Sequence, residues 1–209
     1  PDVGIVKADG AVSVGDVAYS PFLMQLMFKW DAIVYEGAVE GVYYNIGATP
    51  ATDTSTWTSG GLARTQRITG LALTEGNTYY LSLKVKNTLG SYYSDIVSKR
   101  FLLDTLVPSA PGGLEKRTEG DAIRVGWNNA VVGVSGIAYY AIEERRGNSP
   151  VWTTISTTTD CALIISNTGA APSAVARAAG TYFYRVSAVN NAGVTGPASE
   201  VLGVNIGLE

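Results

Sequence analysis

The residues best suited to contact a ligand are aromatic. Trp57 and Trp152 stand in polar, turn-forming stretches, and Tyr92-Tyr93 follows the turn signal Asn87-Thr88-Leu89-Gly90. Exposed rings of this kind stack on sugar faces and anchor protein interfaces. Strand alternation sends one ring of Tyr92-Tyr93 outward. The competing use of Trp57 and Trp152 is to cover a sheet edge. Phe183 and Tyr139, on the outward faces of their strands, are weaker candidates. Ligand contact is therefore expected at Tyr92, Tyr93, Trp57 and Trp152.

Catalytic chemistry is poorly supplied. The chain has no histidine, which excludes histidine-based nucleophile triads and histidine metal sites. A glycosidase needs only two acids, about 5–10 Å apart. The adjacent pair Glu143-Glu144 sits in a strand pattern, where neighbours face opposite ways and cannot converge on one bond. No D-x-[DN]-x-[DN]-G calcium loop occurs, and Asp104 and Asp121 stand apart. The glycine-rich pieces lack the strand-to-helix context of a phosphate motif, and no N-x-[ST] acceptor is present. Cys161 is the single cysteine, so no internal disulfide forms; with nothing basic nearby it reads as a small apolar strand residue. No catalytic, cofactor or metal residue is expected, and the chain is expected not to be an enzyme.

The elements that position these residues are strands. Tyr182, Tyr184, Val186 and Ala188 share one face of a strand that stops at Asn190-Asn191-Ala192-Gly193. Tyr79, Leu81, Leu83 and Val85 repeat the design ahead of Asn87-Thr88-Leu89-Gly90. Phe22, Met24, Leu26, Phe28 and Trp30 share a face, as do Val42, Tyr44 and Ile46, and Ile123, Val125 and Trp127. Trp30 recurs as Trp127 at an offset of 97, Tyr44 and Ile46 as Tyr140 and Ile142 at 96, and Trp57-Thr58 as Trp152-Thr153 at 95. The offset rises to 103 at Tyr79 and Tyr182, so the second copy carries an enlarged loop in Ser166–Gly180, with a short helical turn allowed across Ser173–Ala179. No segment keeps a helical repeat long enough for a helix. Short strands with frequent turns predict an all-β chain of two tandem antiparallel β-sandwiches, at 1–105 and 112–207, joined by a proline-containing linker at 106–111.

At 209 residues, 46% hydrophobic and 16% charged, the chain is large enough for two cores. A net charge of −3 gives no electrostatic reason to bind nucleic acid or anionic membrane. No stretch approaches the ~20 apolar residues of a transmembrane helix. Pro1 is not an initiator methionine, so a piece of a longer protein is expected, with Leu208-Glu209 as a possible tag remnant.

These features resemble tandem fibronectin type III domains. The second copy carries the resemblance in PSAPGGL, IRVGW, YYAIEER, WTTI and YRVSAVNNAG. The first is more divergent, and its YNIGATP…WT…ITGLALTEGNTYY phrase resembles the variety found in bacterial extracellular and phage virion proteins. The resemblance implies that Trp127 and Trp30 are core residues and that Tyr182 and Tyr79 form tyrosine corners. The integrin-binding Arg-Gly-Asp triplet is absent; Arg146-Gly147-Asn148 lacks its carboxylate. It further implies a non-catalytic, extracellular or cell-surface module pair of a bacterial or phage protein. That pair would act as spacer and scaffold toward a protein, cell-surface or polysaccharide partner, and be monomeric as a fragment. The alternative is a carbohydrate-binding accessory module of a polysaccharide-degrading enzyme. The fold itself leaves this choice open.

Overall fold

The computed structural model describes residues 3–7, 10, 12–13, 18–30, 38–88, 96–120, 122–166 and 174–207. Two compact units, Pro1–Leu106 and Val107–Glu209, each enclose a core of their own.

The first unit contains β1 (Val3–Val6), β2 (Val12–Ser13), β3 (Ala18–Ser20), β4 (Gln25–Trp30), β5 (Val39–Gly47), β6 (Thr58–Gly61), β7 (Thr65–Thr69), β8 (Thr78–Asn87) and β9 (Val97–Leu103). They form two sheets, in the orders β2-β1-β4-β7 and β3-β9-β8-β5-β6. Alternation along each strand turns one row inward. Ile5, Leu26, Phe28 and Trp30 from one sheet meet Val42, Leu81, Leu83 and Phe101 from the other, and all are buried. Tyr44, Ile46 and Tyr79 pack against this cluster. The inward row of the Trp30 strand begins later than alternation suggests. Met24 is 69% exposed because β4 starts at Gln25; before it, Leu23 and Met24 offer their carbonyls to the N–H groups of Leu73 and Leu71.

The second unit contains β10 (Glu115–Glu119), β11 (Ala122–Gly126), β12 (Ile137–Arg146), β13 (Thr153–Thr158), β14 (Ala162–Ser166), β15 (Val175–Ala176), β16 (Gly180–Asn190) and β17 (Leu202–Ile206). Its sheets run β10-β11-β14-β15 and β13-β12-β16-β17. Val125, Trp127, Leu163 and Ile165 face Tyr140, Ile142, Tyr184, Val186 and Val204 across the core. Trp30 and Trp127 are each 6% exposed. After β16 the chain turns where Gly193 takes φ 79°, a left-handed conformation that favours glycine, and Gly193 N–H donates to Asn190 O.

Pairing is antiparallel apart from two short parallel contacts, β3 with β9 and β14 with β15. The enlarged loop differs from expectation. Within Ser173–Ala179, Val175–Ala176 is a strand, not a helical turn. Cross-strand bonds outweigh the alanine preference for helix: Ile165 and Ser166 pair with it, and Arg177 N–H donates to Ser166 O.

The ladders also refine the repeat. Tyr44 lies opposite Leu83, and Ile142 lies opposite Val186. With the Tyr79 and Tyr182 strands equated at their offset of 103, Leu83 corresponds to Val186. Tyr44 therefore corresponds to Ile142, and Val42 to Tyr140, one two-residue step from the sequence match.

Candidate functional site

The outward face of each tyrosine-strand sheet carries one tryptophan seated on cations. In the first unit the segment between β5 and β6 folds back over the sheet as a strap. Ala51 N–H donates to Ser82 Oγ at 3.0 Å, and Asn45 Nδ2 donates to Thr56 O at 2.9 Å. The turn within the strap is closed by Ser55 N–H on Thr52 O, and Trp57 Nε1 donates to that same carbonyl at 3.2 Å. The half-buried Trp57 ring thus lies over Lys84, whose Nζ is 4.3 Å from the ring centroid. Lys84 points outward between inward Leu83 and Val85, yet it is only 7% exposed because the strap covers it.

In the second unit Trp152 precedes β13 and is likewise half-buried. The Arg185 guanidinium lies 4.5 Å from its centroid and that of Arg145 5.2 Å. Arg145 also lies 4.6 Å from Phe183, and its Nη1 donates to Ser149 O. The Phe183 ring packs close beside Gly203 of β17, 3.5 Å from where a Cβ would stand. Arg185 Nε completes the row with a 2.6 Å ion pair to Glu143. Each cation–ring contact of this type contributes about 0.5–1 kcal/mol at exposed sites and more when desolvated.

The adjacent carboxylates do point apart. Glu143 faces out to Arg185. Glu144 faces the sandwich interior, where Arg177 Nε approaches Oε2 at 2.6 Å and the Tyr184 hydroxyl donates to the same oxygen at 2.8 Å. Burial, then the bond to Glu144, pushes the Tyr184 hydroxyl far above its ordinary pKa. Cys161 is half-buried, and its thiol donates to Asn129 Oδ1 at 2.9 Å. The Tyr140 hydroxyl donates to Asn129 Oδ1 as well and accepts from Ala130 N–H; its pKa is raised, chiefly by burial. Among the described residues no group of three or more His, Cys, Asp or Glu is placed to hold a metal ion.

The two corner tyrosines differ in the direction of their bonds. The Tyr182 hydroxyl donates to Ala178 O at 3.0 Å. The Tyr79 oxygen accepts from Thr74 N–H at 2.9 Å, and that donor lowers its pKa.

Of the four expected contact residues, Trp57 and Trp152 occupy corresponding sheets of different units, whereas Tyr92 and Tyr93 lie outside the described residues. Sequence reasoning missed Lys84, Arg145 and Arg185. Alternation marks them as outward residues, since each takes an outward position on its strand, but it does not pair them with the rings.

Two such sandwiches in succession, each with a buried tryptophan and a tyrosine strand, have the fold of tandem fibronectin type III domains. The chain is similar to the crystal structure of chicken CNTN1 FN1-FN3 domains, with 16% identity and a TM-score of 0.57 over 93% of this chain and 66% of that one. It is also similar to the crystal structure of domains A168-A170 from titin, with 15% identity and a TM-score of 0.50 over 97% of this chain and 65% of that one. It thus spans just under two thirds of each of those chains, and the likeness is one of fold. No family model and no curated protein sequence matches it. Among the described residues no helix is long and apolar enough to cross a membrane.

Proposed function

We propose that this chain is a non-catalytic extracellular module pair, serving as spacer and interaction scaffold in a larger bacterial or phage surface or secreted protein. Residues 1–105 and 112–207 fold as separate sandwiches, 106–111 link them, and the fragment is monomeric. The observation that carries the reading is that, among the described residues, the adjacent carboxylates and the thiol are engaged within the fold. Glu143 is held by Arg185, Glu144 by Arg177 and Tyr184, and Cys161 by Asn129. What remains outward is a pair of sheet faces with aromatic rings on cations, a surface suited to weak contacts with a protein or polysaccharide partner. Trp57 and Trp152 are the contact residues within those faces.

The chain ends at the linker are fastened to their own cores, as a load-bearing spacer requires. Asp104 is buried, its N–H donates to Ser20 O, and Thr105 donates twice to Glu75. On the other side Ser109 exchanges bonds with Val131. Pulling the chain from its two ends tests this reading. Two separate unfolding events are expected, each releasing roughly 33–36 nm of contour for about one hundred residues. One event releasing both lengths together would overturn it.

A further inference from the structure

The strap over the first unit divides its outward sheet face. Ser82 and Lys84 are covered, whereas beyond Ser82 Thr78 and Arg100 are exposed and Tyr80, Leu102 and Tyr19 are half-buried. Leu81, Phe101, Leu103 and Ala18 face inward, so Tyr80, Arg100, Leu102 and Tyr19 face outward. The register sets them in two rows: Gly47 beside Tyr80 beside Arg100, then Thr78 beside Leu102 beside Tyr19. Gly47 adds no side chain beside Tyr80; a Cβ there would stand 3.5 Å from Thr49 O of the strap and 3.6 Å from Asn45 Oδ1. Strand spacing puts Tyr80 and Tyr19 about 12 Å apart.

The charge of this sheet runs against that of the chain. On the outward face β8 and β9 carry Lys84, Lys86 and Arg100 and no acid, in a chain of net charge −3; Lys99, opposite Leu81, lies in the other row. Glu40 is the acid of the described sheet, and Lys86 holds it at 2.8 Å. Arg100 is exposed and belongs to none of the four ion pairs among the described residues. A guanidinium left open beside a tyrosine ring offers a two-pronged site for a carboxylate or sulfate next to a flat apolar surface.

We propose that Tyr80, Arg100 and Tyr19 form a binding face for an acidic polysaccharide. One pyranose ring stacks on Tyr80 with its carboxylate or sulfate on Arg100, and the polymer continues toward Tyr19. This deepens the reading of the pair as an interaction scaffold and rests on it. Trp57, on Lys84, and Trp152, on Arg145 and Arg185, lie outside this row of residues and make their contacts separately from it.

Electrophoresis of the full chain through gels containing alginate, chondroitin sulfate or neutral dextran tests it. Retardation is expected in one or both acidic polymers and not in dextran, and the two acidic gels separate carboxylate from sulfate recognition. Arg100→Gln and Tyr80→Ala are each expected to weaken the retardation at least about tenfold, the effect of losing one charged or stacked contact. Arg117→Gln, which removes an exposed arginine from β10 of the second unit, is expected to leave it unchanged. Thermal melts verify folding, and Tyr80→Thr, which suits a strand, replaces any unfolded Tyr80→Ala. The proposal is overturned by no retardation in either acidic polymer, by retention of binding in Arg100→Gln and Tyr80→Thr, or by preference for a single-stranded oligonucleotide over both polysaccharides. Failure here with two unfolding events under force would reject the polysaccharide face and leave the spacer standing.

Discussion

The two units place a polar trio and an apolar pair at the same point of one ladder. In the first unit Ile46 lies opposite Leu81; in the second the corresponding positions are Glu144 and Tyr184, joined by Arg177 from the enlarged loop. The insertion therefore brought its own counter-charge. A buried carboxylate is tolerable only when paired and hydrogen-bonded, and the loop supplies the partner. The tryptophans teach a related lesson. Trp57 sits on Lys84, and Trp152 sits on Arg185, one two-residue step away in the aligned strands. Ring and cation have moved together, so the contact is kept although neither position is.

The largest effect should come from what the units share. Trp127→Ala is expected to cost about 3–5 kcal/mol in the second unit, and Trp30→Ala a similar amount in the first, measured by urea unfolding. A loss below about 1 kcal/mol at either would mean that the core has been misplaced.

The trio is the next most informative difference. Arg177→Met should cost about 2–4 kcal/mol, because Glu144, with only 13% of its side chain exposed, loses its ion partner. Replacing all three residues, Glu144→Ile, Tyr184→Leu and Arg177→Met, copies the first unit and should recover most of that loss. If the triple variant is no more stable than the single one, the ladder correspondence is wrong.

Alkali should separate the units without mutation. Tyr184 and Tyr140 have pKa values raised above the ordinary 10.0, so the stability they contribute is complete below that pH and is lost as pH rises through their folded values. Tyr79 is lowered below 10.0, so its contribution is present above that pH and is lost as pH falls through its folded value. Above pH 10 the second unit should thus unfold first, as followed by tyrosinate absorbance together with amide signals from each unit. Earlier loss of the first unit would contradict these directions.

The smallest effects belong to the cation contacts. Lys84→Met and Arg185→Met should each cost about 0.5–2 kcal/mol. The Arg185 change should be the more salt-sensitive, since it also breaks the pair with Glu143.

Inward rows were legible in the sequence because burial imposes a two-residue period. Tyr182, Tyr184, Val186 and Ala188 are all buried, as are Leu81, Leu83 and Val85. Strand starts were less legible: nothing in Phe22–Trp30 shows that Met24 precedes the ladder. The tryptophans were found as residues but not as contacts, since Arg185 is more than thirty positions from Trp152 and only register brings them together. The Val175–Ala176 strand was hidden for the same reason, because its partner Ser166 lies across the inserted residues.

Native-state hydrogen exchange on Trp127→Ala tests the central claim, two sandwiches that share a scaffold and fold separately, at single residues. The account predicts that amides of β16, Val186 and Ala188 among them, lose protection, while those of Leu81 and Leu83 in β8 exchange as in the parent chain. Equal loss of protection in β8 and β16 would show one cooperative unit and contradict it.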